Sequence, residues 1–406
     1  MAQQVLRLHR PLGAAAAALA PVACGSGDAP PAAGQVVASQ GVATPVGLAD
    51  GTSTRLLRYR MEAVGGGLTE ATALLFTPAG GPPAGGWPLV VWAHGTTGVS
   101  ASCAPSLDFE GFGSAPLVAR LLAEGVAVLA PDYEGLGTSG RHPYYSRASH
   151  GRSVVRAVQA ALALDGARLA PRWAVIGHSQ GGHAALAAAE MAPLIEAQAR
   201  LAAVVALAPG SDLARSSDLA FERVAQLVAA GQTDLAAGLL LRLNYYGALV
   251  AHGAQAQQAD MAIAPLFGHR VRALLPRALG KPEGAGDCTD FGQALAADMV
   301  GWLSAGQDVL AYPGVLQHWH RQAGMAALLK DNLVGQNKLA APVLVMQGEL
   351  DLDVPAPVTR TLVAQMRAAG TRVELRALPE GDHEAVVAAP AIDEAARYLR
   401  ERLVDL

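Results

Sequence analysis

Beyond residue 45, short apolar runs alternate with longer stretches in which apolar positions recur at helical spacing. Residues 55–61 and 69–76 read as antiparallel strands, and residues 88–93, 126–130, 173–176 and 203–207 as parallel strands buried on both faces. Residues 114–124, 148–164 and 181–191 carry the helical period between them, each closed by Gly or Pro within a few positions. The alternation returns near the C-terminus, with strands predicted at 343–347 and 372–377 and helices at 355–369 and 383–403. Strand, helix, strand in succession means a mostly parallel central sheet with helices on both faces, an α/β fold. Between 209 and 341 the β-runs lapse, and 219–230, 235–250, 291–303 and 318–329 read as helices. An insertion of that size is too long for a loop and predicts a large helical cap. The expected layout is a core in two parts, 46–209 and 342–406, around a cap or lid at 210–341.

Composition narrows the function. The 406 residues are 51% hydrophobic, enough for a large core, and a formal net charge of −4 with lysine only at Lys281, Lys330 and Lys338 argues against a nucleic-acid partner. At the N-terminus, Arg7, His9 and Arg10 precede an Ala-rich apolar stretch that ends at Cys24, the pattern of a secretory signal over 1–23. The junction Pro21-Val22-Ala23-Cys24-Gly25-Ser26 resembles the site at which bacterial lipoproteins are cleaved and lipidated. Plain secretion or a periplasmic location, and membrane attachment through lipidated Cys24, are both open; residues 24–45 are expected to be a linker. In an oxidising compartment the remaining pair, Cys103 and Cys288, is expected to form a disulfide. Neither cysteine sits in a metal-binding pattern, and no metal or cofactor is expected.

The candidate chemistry centres on Trp173-Ala174-Val175-Ile176-Gly177-His178-Ser179-Gln180-Gly181-Gly182. A β-run delivers Gly-x-Ser-x-Gly and a helix follows at once, the context of a nucleophile elbow. Gly177 and Gly181 leave room for strand and helix to approach, so Ser179 can stand clear of the sheet at the positive end of the helix. A nucleophilic serine needs an acid and then a histidine, each just beyond a late strand. His383 is the only such histidine in the C-terminal part of the sheet. For the acid, Asp351 follows the 343–347 strand in a Gly-x-x-Asp turn, with Glu349 and Asp353 as competitors. His178 and His183 flank the serine and are expected to pack around the elbow.

The oxyanion of a tetrahedral intermediate needs hydrogen-bond donors. The backbone N–H of Gln180 is one candidate, and the loop Trp92-Ala93-His94-Gly95-Thr96-Thr97-Gly98, through Gly95 and Thr96, is the other.

Ser179, Asp351 and His383 in that order, with the His94-Gly95-Thr96-Thr97-Gly98 loop, resemble the α/β-hydrolase superfamily. Pro131-Asp132-Tyr133-Glu134-Gly135-Leu136-Gly137, Cys103-Ala104-Pro105-Ser106 and the long helical insertion are similar to the secretory lipases of the lipase A type. The resemblance implies an α/β-hydrolase fold and a serine carboxylic-ester hydrolase, esterase or lipase, that works through an acyl-enzyme on a small-molecule or lipid ester. It also implies that Asp132 assists the oxyanion hole, against an ordinary Asx turn. Leu239-Leu240-Leu241 with Tyr245 and Tyr246 either line a hydrophobic substrate pocket or bury the cap against the sheet. Triad chemistry alone leaves a peptidase, an acyltransferase or a polyester-degrading esterase on the same fold as alternatives, and a binding protein that keeps the fold is disfavoured because every catalytic part is present.

Overall fold

The computed structural model describes residues 31–164, 166–280 and 288–404. The expected signal segment and Cys24 therefore lie outside the described residues. Nine strands form one sheet: β1 (Val36–Val42), β2 (Ser53–Glu62), β3 (Leu68–Thr77), β4 (Trp87–Ala93), β5 (Ala127–Pro131), β6 (Leu169–His178), β7 (Arg200–Leu207), β8 (Val343–Gly348) and β9 (Val373–Leu378). Their spatial order is β1-β2-β3-β5-β4-β6-β7-β8-β9. The first three are joined antiparallel to one another and to β5, and every pairing from β5 through β9 is parallel.

Strand β1 corrects one expectation, because it lies inside the segment read as linker. Val36 and Ala38 sit on a polar-flanked edge strand whose ladder to β2 runs from Val36↔Tyr59 to Val42↔Thr54. An edge strand with one covered face carries too few apolar positions to stand out along the chain.

Helices α1 (Ala115–Ala123), α2 (Arg147–Leu162) and α3 (Gln180–Met191) connect the early parallel strands. Between β7 and β8 come α4 (Leu213–Ala229), α5 (Thr233–Gln257), α6 (His269–Leu274), α7 (Asp290–Ser304) and α8 (Ala323–Asp331), and α9 (Ala356–Ala368) and α10 (Ala391–Val404) complete the core. One apolar cluster joins Leu89, Val91 and Val175 of the sheet to α2, α3 and α9, and a second joins Val90, Ile176 and Val205 to α1 and α10. A third, built on Val224, Leu249, Phe267, Leu295 and Trp319, belongs to the inserted helices.

Two predicted helices start later than expected. Residues 383–390 form a loop with one short 3-10 turn, Ala385–Val387, before α10, because Pro390 disfavours helical backbone at Ala389 and offers no N–H of its own. The 318–329 stretch opens with His318 at φ 64 and a separate 3-10 turn, so α8 begins only at Ala323.

Candidate active site

Parallel strands deliver their connecting loops to one edge of the sheet, and the candidate residues come from four such loops. Ser179 follows β6 directly and caps α3 at φ 57, ψ −114, a conformation an L-residue adopts only when its surroundings enforce it. Gly177 and Gly181 permit it: a Cβ on Gly177 would lie 2.0 Å from the Gly181 carbonyl oxygen, and one on Gly181 would lie 1.9 Å from that of Ala93. As the first residue of α3, Gln180 has an N–H without an intrahelical partner.

His383 follows β9, and its Nδ1–H donates to Asp351 Oδ2 at 2.7 Å. Asp351 is fixed in turn by the backbone N–H groups of Asp353 and Val354, both at 2.8 Å to Oδ1, and by Gln347 Nε2 at 3.1 Å to Oδ2. Gln347 is itself oriented by the hydroxyl of Thr359, 2.6 Å from its Oε1. The two competitors for the acid point elsewhere: Asp353 pairs with Arg242 at 2.8 Å and Glu349 with Arg360. Gly348 lets β8 approach the histidine loop, since a Cβ there would lie 2.3 Å from the Asp382 carbonyl oxygen. Burial opposes a charge on His383, but the hydrogen bond and charge of Asp351, with Asp353 and Glu384, outweigh it and hold the imidazole up at about 8.

His178 does more than pack. Its ring centroid lies 4.5 Å from that of His383, and its Nε2–H donates to the His383 carbonyl oxygen at 3.0 Å. Burial, then the neighbouring His383, push His178 down to about 3, which keeps it neutral. Among the described residues no direct hydrogen bond joins Ser179 Oγ to His383; Tyr145 lines the same cavity beside it. Tyr145 was not singled out from the sequence. Its φ of 58 and the contact that its hydroxyl makes over Gly210, where a Cβ would lie 2.0 Å from it, follow from tertiary packing.

Gly95 lies beside the elbow, the site of its missing Cβ 3.5 Å from the His178 carbonyl oxygen. Thr96 bonds Tyr144 Oη at 2.6 Å and lines the cavity that contains Ser179. The loop is stapled by a Cys103–Cys288 disulfide with Cα atoms 5.3 Å apart, as expected from the cysteine count, and Gly98 leaves the room for Cys103 Sγ. Asp132, implied to assist the oxyanion hole, is engaged with Thr72 and Ser106. It is fully buried, its Oδ2 accepts from the Thr72 hydroxyl at 2.6 Å and its Oδ1 from Ser106 N–H at 3.0 Å, and it does not line the Ser179 cavity. Burial raises its pKa to about 6 against those two bonds. Asp132 thus ties the Cys-Ala-Pro-Ser turn, through Oδ1, to strand β3, through Oδ2.

The Ser179 cavity, about 80 Å³, is walled mainly by apolar side chains of the inserted helices, including Leu213, Leu239, Leu243, Tyr246 and Val250. Leu240 and Tyr245 instead join the interior of the insertion, where Tyr245 stacks on Phe291 at 5.7 Å. Leu239 and Tyr246 thus line the cavity, whereas Leu240 and Tyr245 pack within the insertion rather than against the sheet. Asp351, Asp353 and His383 place ligand atoms within 4.8 Å of one another, but the Asp351–His383 hydrogen bond occupies two of those atoms. On the inserted helices Asp218, His318 and His320 also converge, with Arg321 3.5 Å from Asp218 as a competing cation.

A model of the alpha/beta hydrolase fold family matches residues 88–387, which takes in the elbow, both late loops and all of the insertion. The chain belongs to the α/β-hydrolase family. This α/β-hydrolase is similar in structure to Candida antarctica lipase A in its closed state, with a TM-score of 0.65 and 19% identity over 91% of this chain and 83% of that one. It is also similar to the rice cell wall degrading esterase LipA from Xanthomonas oryzae, with a TM-score of 0.67 and 18% identity over 92% of this chain and 99% of that one. No curated protein matches the α/β-hydrolase at the level of sequence.

Proposed function

We propose that this α/β-hydrolase is an exported serine esterase acting on hydrophobic esters with a short acyl chain. The observation that carries the reading is the Asp351–His383 pair beside a strained Ser179 at the mouth of a helix N-terminus. Ser179 attacks the ester carbonyl while His383 Nε2 takes its proton, and Asp351 steadies the imidazolium. The oxyanion is met by the N–H of Gln180 and the main chain at Gly95 and Thr96. The alcohol leaves with the proton from His383, and water repeats the sequence on the acyl-enzyme. Attack requires Ser179 Oγ to turn from Tyr145 to His383 Nε2.

Cavity size supports the substrate class. At about 80 Å³ the cavity is smaller than the roughly 150 Å³ that accommodates a benzene ring in an engineered apolar site. A short apolar acyl group suits this size and lining. The disulfide supports residence in an oxidising compartment, and lipidation at Cys24 remains part of this proposal.

The test is hydrolysis of p-nitrophenyl esters of increasing acyl length by the purified protein and by Ser179→Ala. The expected result is highest kcat/KM at two to four carbons, lost in the variant. Equal rates for the two proteins, or cleavage confined to peptide amides, would overturn the assignment.

A further inference from the structure

Behind the elbow lies a cluster that the chemistry above does not use. Gln180, fully buried, points its side chain away from the cavity, with Nε2 2.9 Å from His142 Nε2 and 3.1 Å from His150 Nε2. His150 Nδ1 lies 3.1 Å from His183 Nδ1. The outer ends of the chain rest on backbone carbonyls: His142 Nδ1 is 2.8 Å from the Glu134 oxygen, and His183 Nε2 is 2.9 Å from that of Asn332.

Proton bookkeeping admits one neutral solution. A carbonyl only accepts, so His142 carries its proton on Nδ1 and His183 on Nε2. That leaves His142 Nε2 and His183 Nδ1 as acceptors. His150 must then donate from Nδ1 to His183, and its own Nε2 becomes an acceptor. The two bare Nε2 atoms face the two protons of the Gln180 amide, and both are used. The opposite amide orientation would require a doubly protonated His142 in a fully buried site.

We propose that His142, His150 and His183 form an all-neutral, proton-ordered network that positions Gln180, and through it the oxyanion-binding N–H beside Ser179. This inference rests on the esterase reading for its catalytic consequence, and it extends that reading to the insertion. Asn332, which ends α8, also donates from Nδ2 to Gln257 of α5 at 3.0 Å and accepts from Arg147 N–H of α2 at 2.8 Å. The seat of the inserted helices on the core is thereby connected to the residue after the nucleophile by consecutive hydrogen bonds. Burial keeps His142 and His183 down at about 4, and drives His150 well below its ordinary value. The groups facing the network are Tyr133, Tyr144 and Tyr145, with His94 near His150, Arg147 near His183 and Glu134 near His142. Of these only Glu134 is acidic, and its carboxyl group is turned to the Ser149 hydroxyl and Val64 N–H, so none stabilises an imidazolium directly.

The experiment compares His183→Leu with His183→Gln. Leucine removes both roles of the ring, whereas glutamine can accept from His150 and donate to Asn332. For His183→Leu the expected result is a tenfold to hundredfold fall in kcat with KM little changed, and an equal fall in affinity for a boronic acid that mimics the tetrahedral adduct. His183→Gln should recover most of both. Equal kcat for His183→Leu and the unaltered enzyme would overturn the proposal, as would a His183→Gln loss as large as that of leucine. A second measurement needs neither a variant nor turnover: ¹⁵N-histidine spectra of the unaltered protein at pH 7 should show neutral rings with protons on Nδ1 of His142 and His150 and on Nε2 of His183. Any other tautomer, or a charged ring among the three, would overturn the network even if the protein hydrolysed no ester. Absence of turnover with the expected tautomers would instead count against the esterase reading alone.

Discussion

His178 donates its Nε2–H to the backbone oxygen of His383 at 3.0 Å, so the residue before Ser179 holds the main chain of the histidine paired with Asp351. The two loops come from β6 and β9, far apart in the sheet, and this bond joins them directly. Phenylalanine at position 178 keeps the ring contact but removes the donor, leaving a buried carbonyl unpaired. His178→Phe should lower kcat about tenfold, with KM close to unchanged, a loss of roughly 1–2 kcal/mol measurable in steady-state kinetics.

On the proposed mechanism the protonation of His383 sets the pH profile of the free enzyme. The base works only when neutral, and its pKa is about 8, so kcat/KM should rise with pH and level off above that value. Asp351→Asn removes the main cause of the rise. The acid limb should then move to lower pH while the plateau falls by roughly 10⁴-fold, as when a triad carboxylate is replaced elsewhere. An unmoved limb would separate Asp351 from the base.

Acid should destabilise the fold steeply. Burial holds His94 and His178 at about 3 and His142 and His183 at about 4, whereas each titrates near 6.5 in the unfolded chain. Below 6.5 the unfolded state therefore binds more protons, so stability falls with pH, by as much as about 1.4 kcal/mol per pH unit for each such ring. Asp132, raised to about 6, acts in the opposite sense between its unfolded pKa and that value. His383 also has the opposite sign: its contribution is complete below 6.5 and is lost as pH rises through about 8. Urea midpoints from pH 8.5 to 4.5 should peak near neutrality and report an uptake of several protons on unfolding in acid.

The disulfide closes 185 positions of chain and anchors the loop that contains Gly95 and Thr96. Replacing Cys103 and Cys288 together with serine should cost about 5 kcal/mol on the chain-entropy model. It should also lower kcat at temperatures well below the new Tm, because the loop donors lose their tether. Calorimetry beside initial rates distinguishes the two effects.

Local rules made much of this molecule legible. The elbow could be read because its glycines, its serine and its flanking strand and helix are contiguous, and the approach distances at Gly177 and Gly181 show why no other residue fits there. Parallel strands β4 to β8 were legible for the same reason, since burial on both faces leaves an uninterrupted apolar run. Edge strand β1 was not, because its stability comes from a neighbour supplied by β2. Asp351 was favoured along the chain by its Gly-x-x-Asp turn, and the tertiary structure sets it against His383 while Asp353 pairs with Arg242. Tyr145, and the partners that Gln180 finds in His142 and His150, belong wholly to tertiary structure. Hydrogen bonds between residues 30 or more positions apart leave no local period or spacing, whereas a strained turn must carry its glycines beside it.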